Sequence, residues 1–245
     1  MHPIVIGGGR VGTAISRMYA PRPAPILRRG EAVPDLPRPG ADAGPIWVCT
    51  TNDALDEVIA ATPQGRRGDL VFVQNGMLLP WLRERWLGGN TQVLLYMAAD
   101  ASGAVTDGRK TLAHGGRWAE HAAAALAGGG VACRVEAGWR EFQEAVAAKL
   151  LWSSIFWVMS AALGETVGEI AENRSEEVAA LVAELLPLVD DYLDDVIAAD
   201  GRGDVTAGGV SHKGSVEASA APAEKEQVQR RRVSSSGGRN SVWRL

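Results

Sequence analysis

Short apolar runs punctuate the first half of the chain: Ile4–Ile6, Ala24–Arg28, Ile46–Thr50, Leu70–Val73, Gln92–Tyr96, Lys110–His114 and Val131–Val135. Bounded by Gly, Pro and Asn and separated by helical stretches, they predict a parallel sheet wrapped by helices. The expected helices are Thr13–Tyr19, a segment capped by Asn52 or Asp53 that runs to about Ala61, and the alanine-rich Arg117–Leu126. Pro21–Pro25 breaks the first of these, and Glu31–Gly44 reads as a Pro- and Gly-rich loop. From Trp139 the strand pattern stops and two long helical patterns follow, Glu141–Leu163 and Ser175–Ala199, with Pro187 expected to kink or split the second. Past Asp200 the composition turns to Gly, Ser, Ala and charged residues, a low-complexity tail that cannot bury enough apolar surface to fold alone.

Between the first strand and the first helix stands Gly7-Gly8-Gly9-Arg10-Val11-Gly12. A strand-to-helix turn of this kind presents backbone N–H groups and the positive end of a helix dipole, so it holds a diphosphate without a cationic side chain, and glycine lets the backbone approach closely. The motif's position at the start of an α/β pattern is the context that supports it. The predicted fold class is therefore α/β, with an N-terminal Rossmann-type dinucleotide-binding domain over residues 1–137 and a smaller all-helical domain, incomplete as a substrate and dimerisation domain, over 138–200. A disordered tail is expected over 201–245. Cofactor contacts are expected from Gly7, Gly9, Arg10, Val11 and Gly12. After the second strand come Arg28 and Arg29. A guanidinium there pairs with a 2′-phosphate, which favours NADPH; the alternative is that both arginines are simply solvated.

A net charge of −4 over 245 residues gives no basic footprint, so nucleic-acid binding is set aside. Cys49 and Cys133 lack metal-type spacing and are expected as free thiols in a reducing compartment. The chain opens almost directly into an apolar strand, which predicts a cytoplasmic protein. Ala145–Leu163 is apolar all round apart from Lys149 and a few serines. That suits either a membrane span or the central helix of a globular domain; the mid-helix lysine and the preceding nucleotide fold favour the buried helix, hence no membrane. No metal site is expected, and Asp190, Asp191, Asp194 and Asp195 read as a solvated helix face. His114, at a strand end, is either an acid/base or, more in keeping with strand histidines, structural.

Val71-Phe72-Val73-Gln74-Asn75-Gly76 and Lys149-Leu150-Leu151-Trp152-Ser153-Ser154, in that order behind the glycine loop, give a chain that resembles the ketopantoate reductases (2-dehydropantoate 2-reductases) and related 2-oxoacid reductases over roughly Ile4–Tyr192. The resemblance implies a two-domain enzyme with NADPH across the sheet and a small 2-oxoacid between sheet and helices. It gives Lys149 the catalytic role: an ammonium that stabilises the developing alkoxide and delivers a proton. Asn75 matches the family asparagine after the fourth strand, which implies a catalytic role and a cofactor contact, and Ser153 stands where the family commonly has asparagine, a catalytic position. On the residues alone, Lys149 could instead lie at the helix surface and Asn75 merely form a turn with Gly76.

The chain departs from the family in two places. The turn Cys49-Thr50-Thr51-Asn52-Asp53 lacks the lysine often found there, and the second substrate-binding segment has no match after Asp200, an atypical or truncated C-terminus. The expected function is an NADPH-dependent reductase of a 2-dehydropantoate-like 2-oxoacid, a homodimer in keeping with its apolar helix. The alternative is a non-catalytic NADP-binding protein on the same fold.

Overall fold

A computed structural model describes residues 2–35, 43–100 and 103–200 of the chain, so the readings made of the tail lie outside the described residues. Among the described residues, seven strands form one sheet: β1 (Ile4–Ile6), β2 (Ile26–Leu27), β3 (Ile46–Val48), β4 (Leu70–Phe72), β5 (Thr91–Leu94), β8 (Thr111–His114) and β9 (Cys133–Val135). Their order is β2-β1-β3-β4-β5-β8-β9; the first five run parallel, β8 is antiparallel to β5, and β9 is parallel to β8. Strands β6 (Met97–Ala99) and β7 (Val105–Asp107) make a separate antiparallel hairpin.

Successive residues of a strand point to opposite faces, and here both faces are apolar, as a sheet covered on both sides requires. Val5, Trp47, Val71, Val93 and Ala113 pack beneath α1 (Arg10–Arg17) and α4 (Ala119–Gly128) through Ile15, Ala122 and Leu126. Ile4, Ile6, Ile46, Val48, Leu70 and Phe72 pack on the other face against α2 (Leu55–Ala60) and α3 (Leu79–Glu84) through Leu55, Val58, Ile59 and Leu82. The helices α5 (Trp139–Leu163), α6 (Val167–Asn173) and α7 (Ser175–Asp200) form a third cluster around Leu151, Ile155, Phe156, Met159, Ile170 and Val178. Phe142 on α5 seats that helix on Leu94 of β5 and Leu112 of β8.

Several expectations are corrected. The helix after β3 is capped by neither Asn52 nor Asp53; it is entered through a tight 3-10 turn at Asn52–Ala54, and the Asn52 side chain donates instead to the Asn75 carbonyl at 3.2 Å. Pro187 does not split α7, which runs through it. The apolar helix α5 is not buried all round. It is long and apolar enough to cross a membrane, but it packs one face inward, through Phe142, Gln143, Ala147, Leu151, Ser153, Ile155, Phe156 and Met159, while Trp157 and Val158 are exposed.

Candidate active site

The glycine loop turns directly out of β1 into α1, whose first residue is Arg10. Gly7 has φ of +102°, and a Cβ there would lie 2.6 Å from the Cys49 carbonyl oxygen. A Cβ on Gly12 would collide with the Gly7 carbonyl oxygen. Gly9 is different: a Cβ on it meets nothing within 4 Å, and no side chain caps the helix it begins. Two glycines are thus required by the protein's own backbone, and a third faces open space at a helix N-terminus. That is the shape a diphosphate would fill, so the residues fit a dinucleotide. Val11 packs partly buried against the core, and Arg10 is exposed beside the loop.

β1 and β3 are adjacent but lead to opposite sides of the sheet, to β2 and to β4, so the loop lies at the switch point where open α/β sheets bind ligands. Arg28 and Arg29 follow β2 and are exposed; the Arg29 guanidinium is 3.5 Å from Glu57, and the Arg28 backbone N–H donates to Glu31 at 2.6 Å. Glu31, expected only as the start of a loop, brings a carboxylate to the strand end where adenosine ribose hydroxyls are bound in NAD sites.

The carboxyl ends of β3, β4 and β5 converge on α5. Gln74 donates to the Val48 carbonyl at 2.7 Å and the Thr50 carbonyl at 3.2 Å, bracing the turn that carries Asn75. Lys149 reaches from α5 to the sheet edge, its Nζ donating to Asn75 Oδ1 at 2.7 Å and to the Leu95 carbonyl at 2.6 Å, with the Tyr96 ring centroid 4.7 Å away. Burial pulls its ammonium down from 10.5 to about 8, since desolvation disfavours the charged form. Ser153, one turn on, spends its hydroxyl proton on the Lys149 carbonyl at 2.8 Å, which leaves its oxygen as an acceptor only.

A cavity of about 210 Å³ opens beside this cluster, lined by the polar side chains of Gln74, Asn75, Lys149, Ser153 and Ser154 and by Gly76, Leu94, Val146, Leu150 and Trp157. The structure therefore brings together Lys149, Asn75 and Ser153. Trp157 was not singled out in the sequence, although it lies eight residues beyond Lys149, on the same helical stripe.

Other candidates lie elsewhere. The His114 Nδ1 is 2.6 Å from the Glu136 carbonyl, and its ring stacks on Phe142 at 4.9 Å, so it ties β8 to α5. Asp190, Asp191, Asp194 and Asp195 of α7 are exposed. Cys49 and Cys133 are free, and burial pushes their thiols up to about 12 and about 11, which keeps them unreactive.

No protein-family model and no curated protein sequence matches the chain. Solved structures do. A dimeric ketopantoate reductase from Staphylococcus aureus is 20% identical, with 84% of this chain and 76% of that one covered and a TM-score of 0.50. A 2-dehydropantoate 2-reductase from Geobacter metallireducens is 20% identical, with 85% of both chains covered and a TM-score of 0.53. D-mandelate dehydrogenase, solved with NADH and anilino(oxo)acetate, is 13% identical, with 80% and 78% covered and a TM-score of 0.56. The chain thus has a Rossmann-type domain followed by a helical region, the two-part fold of dinucleotide-dependent reductases. In particular, it has the fold of the ketopantoate reductases.

Proposed function

We propose that the protein is an NADPH-dependent reductase of a 2-oxoacid, with residues 1–137 binding the nucleotide and 138–200 closing the substrate site. The observation that carries this reading is the lysine ammonium fixed between Asn75 Oδ1 and the Leu95 carbonyl, at the rim of a cavity on the nucleotide-binding edge of the sheet. Gly7, Gly9 and Gly12 with the N–H groups of Arg10 and Val11 hold the diphosphate, and Arg28 and Arg29 the 2′-phosphate. The reduced nicotinamide supplies the hydride.

Lysine has three N–H donors, and two are committed to Asn75 and Leu95, which leaves the third for the substrate carbonyl oxygen. As negative charge grows on that oxygen the ammonium stabilises it and then gives up a proton from Nζ; its depressed proton affinity makes that transfer easy near neutral pH. Asn75 holds the amine in place, and the Ser153 oxygen accepts from a hydroxyl on the substrate or product. The protein acts as a soluble, cytoplasmic homodimer. Fluorescence titration with NADPH and, separately, NADH, repeated with 2-dehydropantoate present, tests this. NADPH binding that tightens or turns over with the oxoacid supports it; binding without response to any 2-oxoacid favours a non-catalytic nucleotide-binding protein. That second reading draws on the Ser153 hydroxyl, committed to its own helix, and on the missing lysine after β3.

A further inference from the structure

Val146, Lys149, Leu150, Ser153 and Trp157 form one stripe of α5, and all five line the cavity. Val146 and Trp157 stand at its two ends, with Lys149, Leu150 and Ser153 between them. Lys149 is the only charged side chain along it; Gln74, Asn75, Ser153 and Ser154 are the cavity's other polar side chains, and Leu94, Val146, Leu150 and the indole of Trp157 make up its apolar lining. None of these four offers a hydrogen bond that would orient a hydroxyl on the substrate's side chain, apart from the indole N–H. Trp157 is 60% exposed, an unusually open position for a large aromatic ring at the mouth of a binding cavity.

Eight residues of helix advance about 12 Å along the axis, and since both side chains lean toward the helix N-terminus the amine and the indole keep about that spacing. A substrate whose carbonyl sits on Lys149 and whose side chain is a methyl or ethyl group stops short of the indole. An aryl ring reaches it and covers its exposed face in an offset stack, the arrangement aromatic pairs prefer. We infer that the substrate is a 2-oxoacid bearing an aromatic side chain, with Trp157 the residue that selects it. This rests on the reductase reading of the same cavity.

The test compares phenylglyoxylate with 2-oxobutyrate, using the full chain, by NADPH oxidation and by calorimetric titration of each acid with saturating oxidised nucleotide. The expected result is a kcat/KM at least tenfold higher for phenylglyoxylate, with Trp157→Ala lowering the aryl-to-alkyl ratio by about tenfold and Trp157→Phe keeping most of it, within the range a hydrophobic pocket contact supplies. Turnover of 2-oxobutyrate as good as that of phenylglyoxylate overturns the inference and leaves the reductase reading standing. Turnover of neither acid leaves the reductase reading to 2-dehydropantoate and other 2-oxoacids, and the titrations then decide the inference: phenylglyoxylate binding that weakens in Trp157→Ala upholds an aryl-acid site, and binding that is absent or indifferent to the substitution rejects it.

Discussion

Lys149 and Asn75 stand 74 positions apart in sequence and are joined Nζ to Oδ1 at 2.7 Å, a bond that ties the helical region to the carboxyl edge of the sheet. Both partners lie on braced backbone. Asn75 follows a turn held by Gln74 on the Val48 and Thr50 carbonyls, and Lys149 sits mid-helix two turns beyond Phe142, which anchors α5 on the sheet. The amine is therefore placed at the rim of the cavity by two braced elements. Removing the asparagine oxygen should cost rate more than binding. Asn75→Ala is expected to lower kcat about 10²-fold, the penalty of a misplacement of roughly 1 Å, with KM changed much less. Steady-state kinetics over a full substrate range checks the split.

The lysine's depressed proton affinity sets two pH dependences. As the proton donor it must be charged, so kcat/KM is expected to hold below pH of about 8 and fall above it. Asn75→Asp puts a negative charge beside the amine and should move that alkaline limb upward by about one unit or more. Stability runs the other way. Between about 8 and 10.5 the folded protein binds fewer protons than the unfolded chain, so stability rises with pH through that window. Denaturation midpoints of the wild type should show the rise, and those of Lys149→Met should lose it.

The glycines of the loop separate into two kinds. Gly12→Ala drives a methyl into the Gly7 carbonyl, and the fold should lose about 1–3 kcal/mol, the usual range for overpacking. Gly9→Ala meets no protein atom and should lose at most about 1 kcal/mol, from a poorer helix cap. Its methyl projects where the diphosphate is proposed to lie, so the dissociation constant for NADPH should rise about tenfold or more. Calorimetry on both variants distinguishes a backbone requirement from a ligand requirement.

At the far end of β4 from Asn75, the fully buried Asp69 carboxylate is clamped by Arg66 at 2.7 Å, by the indole N–H of Trp118 at 3.0 Å and by Arg117. Asp69→Ala leaves the nearly buried Arg66 guanidinium without its carboxylate and is expected to cost about 3–5 kcal/mol. Nucleotide affinity should stay within about twofold, since the site lies at the opposite strand ends. Urea unfolding alongside nucleotide titration checks both.

Much of this was legible in the chain because the central strands are continuous apolar runs and the glycine loop is local: β1, β3, β4 and the Gly7–Gly12 turn fall where the pattern placed them. That Lys149 and Asn75 belong to one site followed only from resemblance, and their hydrogen bond was not foreseen, since nothing in the spacing of two segments 74 residues apart says that they meet. The hairpin Met97–Ala99 with Val105–Asp107 escaped because its strands are three residues long and carry no more than partial burial. Helix α6 did carry a readable signal, Thr166 and Glu169 in a reciprocal capping box, and α3 a proline in its first turn. The weakness of α5 as an all-round buried helix was not readable, because exposure of Trp157 and Val158 depends on how α7 lies across one face only. Glu31 was passed over as loop, and only the folded turn shows it bonded to the Arg28 amide.

The most direct test is NADPH oxidation by the full chain against a panel of 2-oxoacids, run in parallel with Lys149→Ala. The account expects turnover of at least one acid, a fall of about 10²–10⁴-fold in kcat for the variant, the range contributed by a positioned proton donor, and an NADPH dissociation constant that stays within about threefold. Equal turnover by wild type and variant, or no oxidation with any acid despite tight NADPH binding, would contradict it.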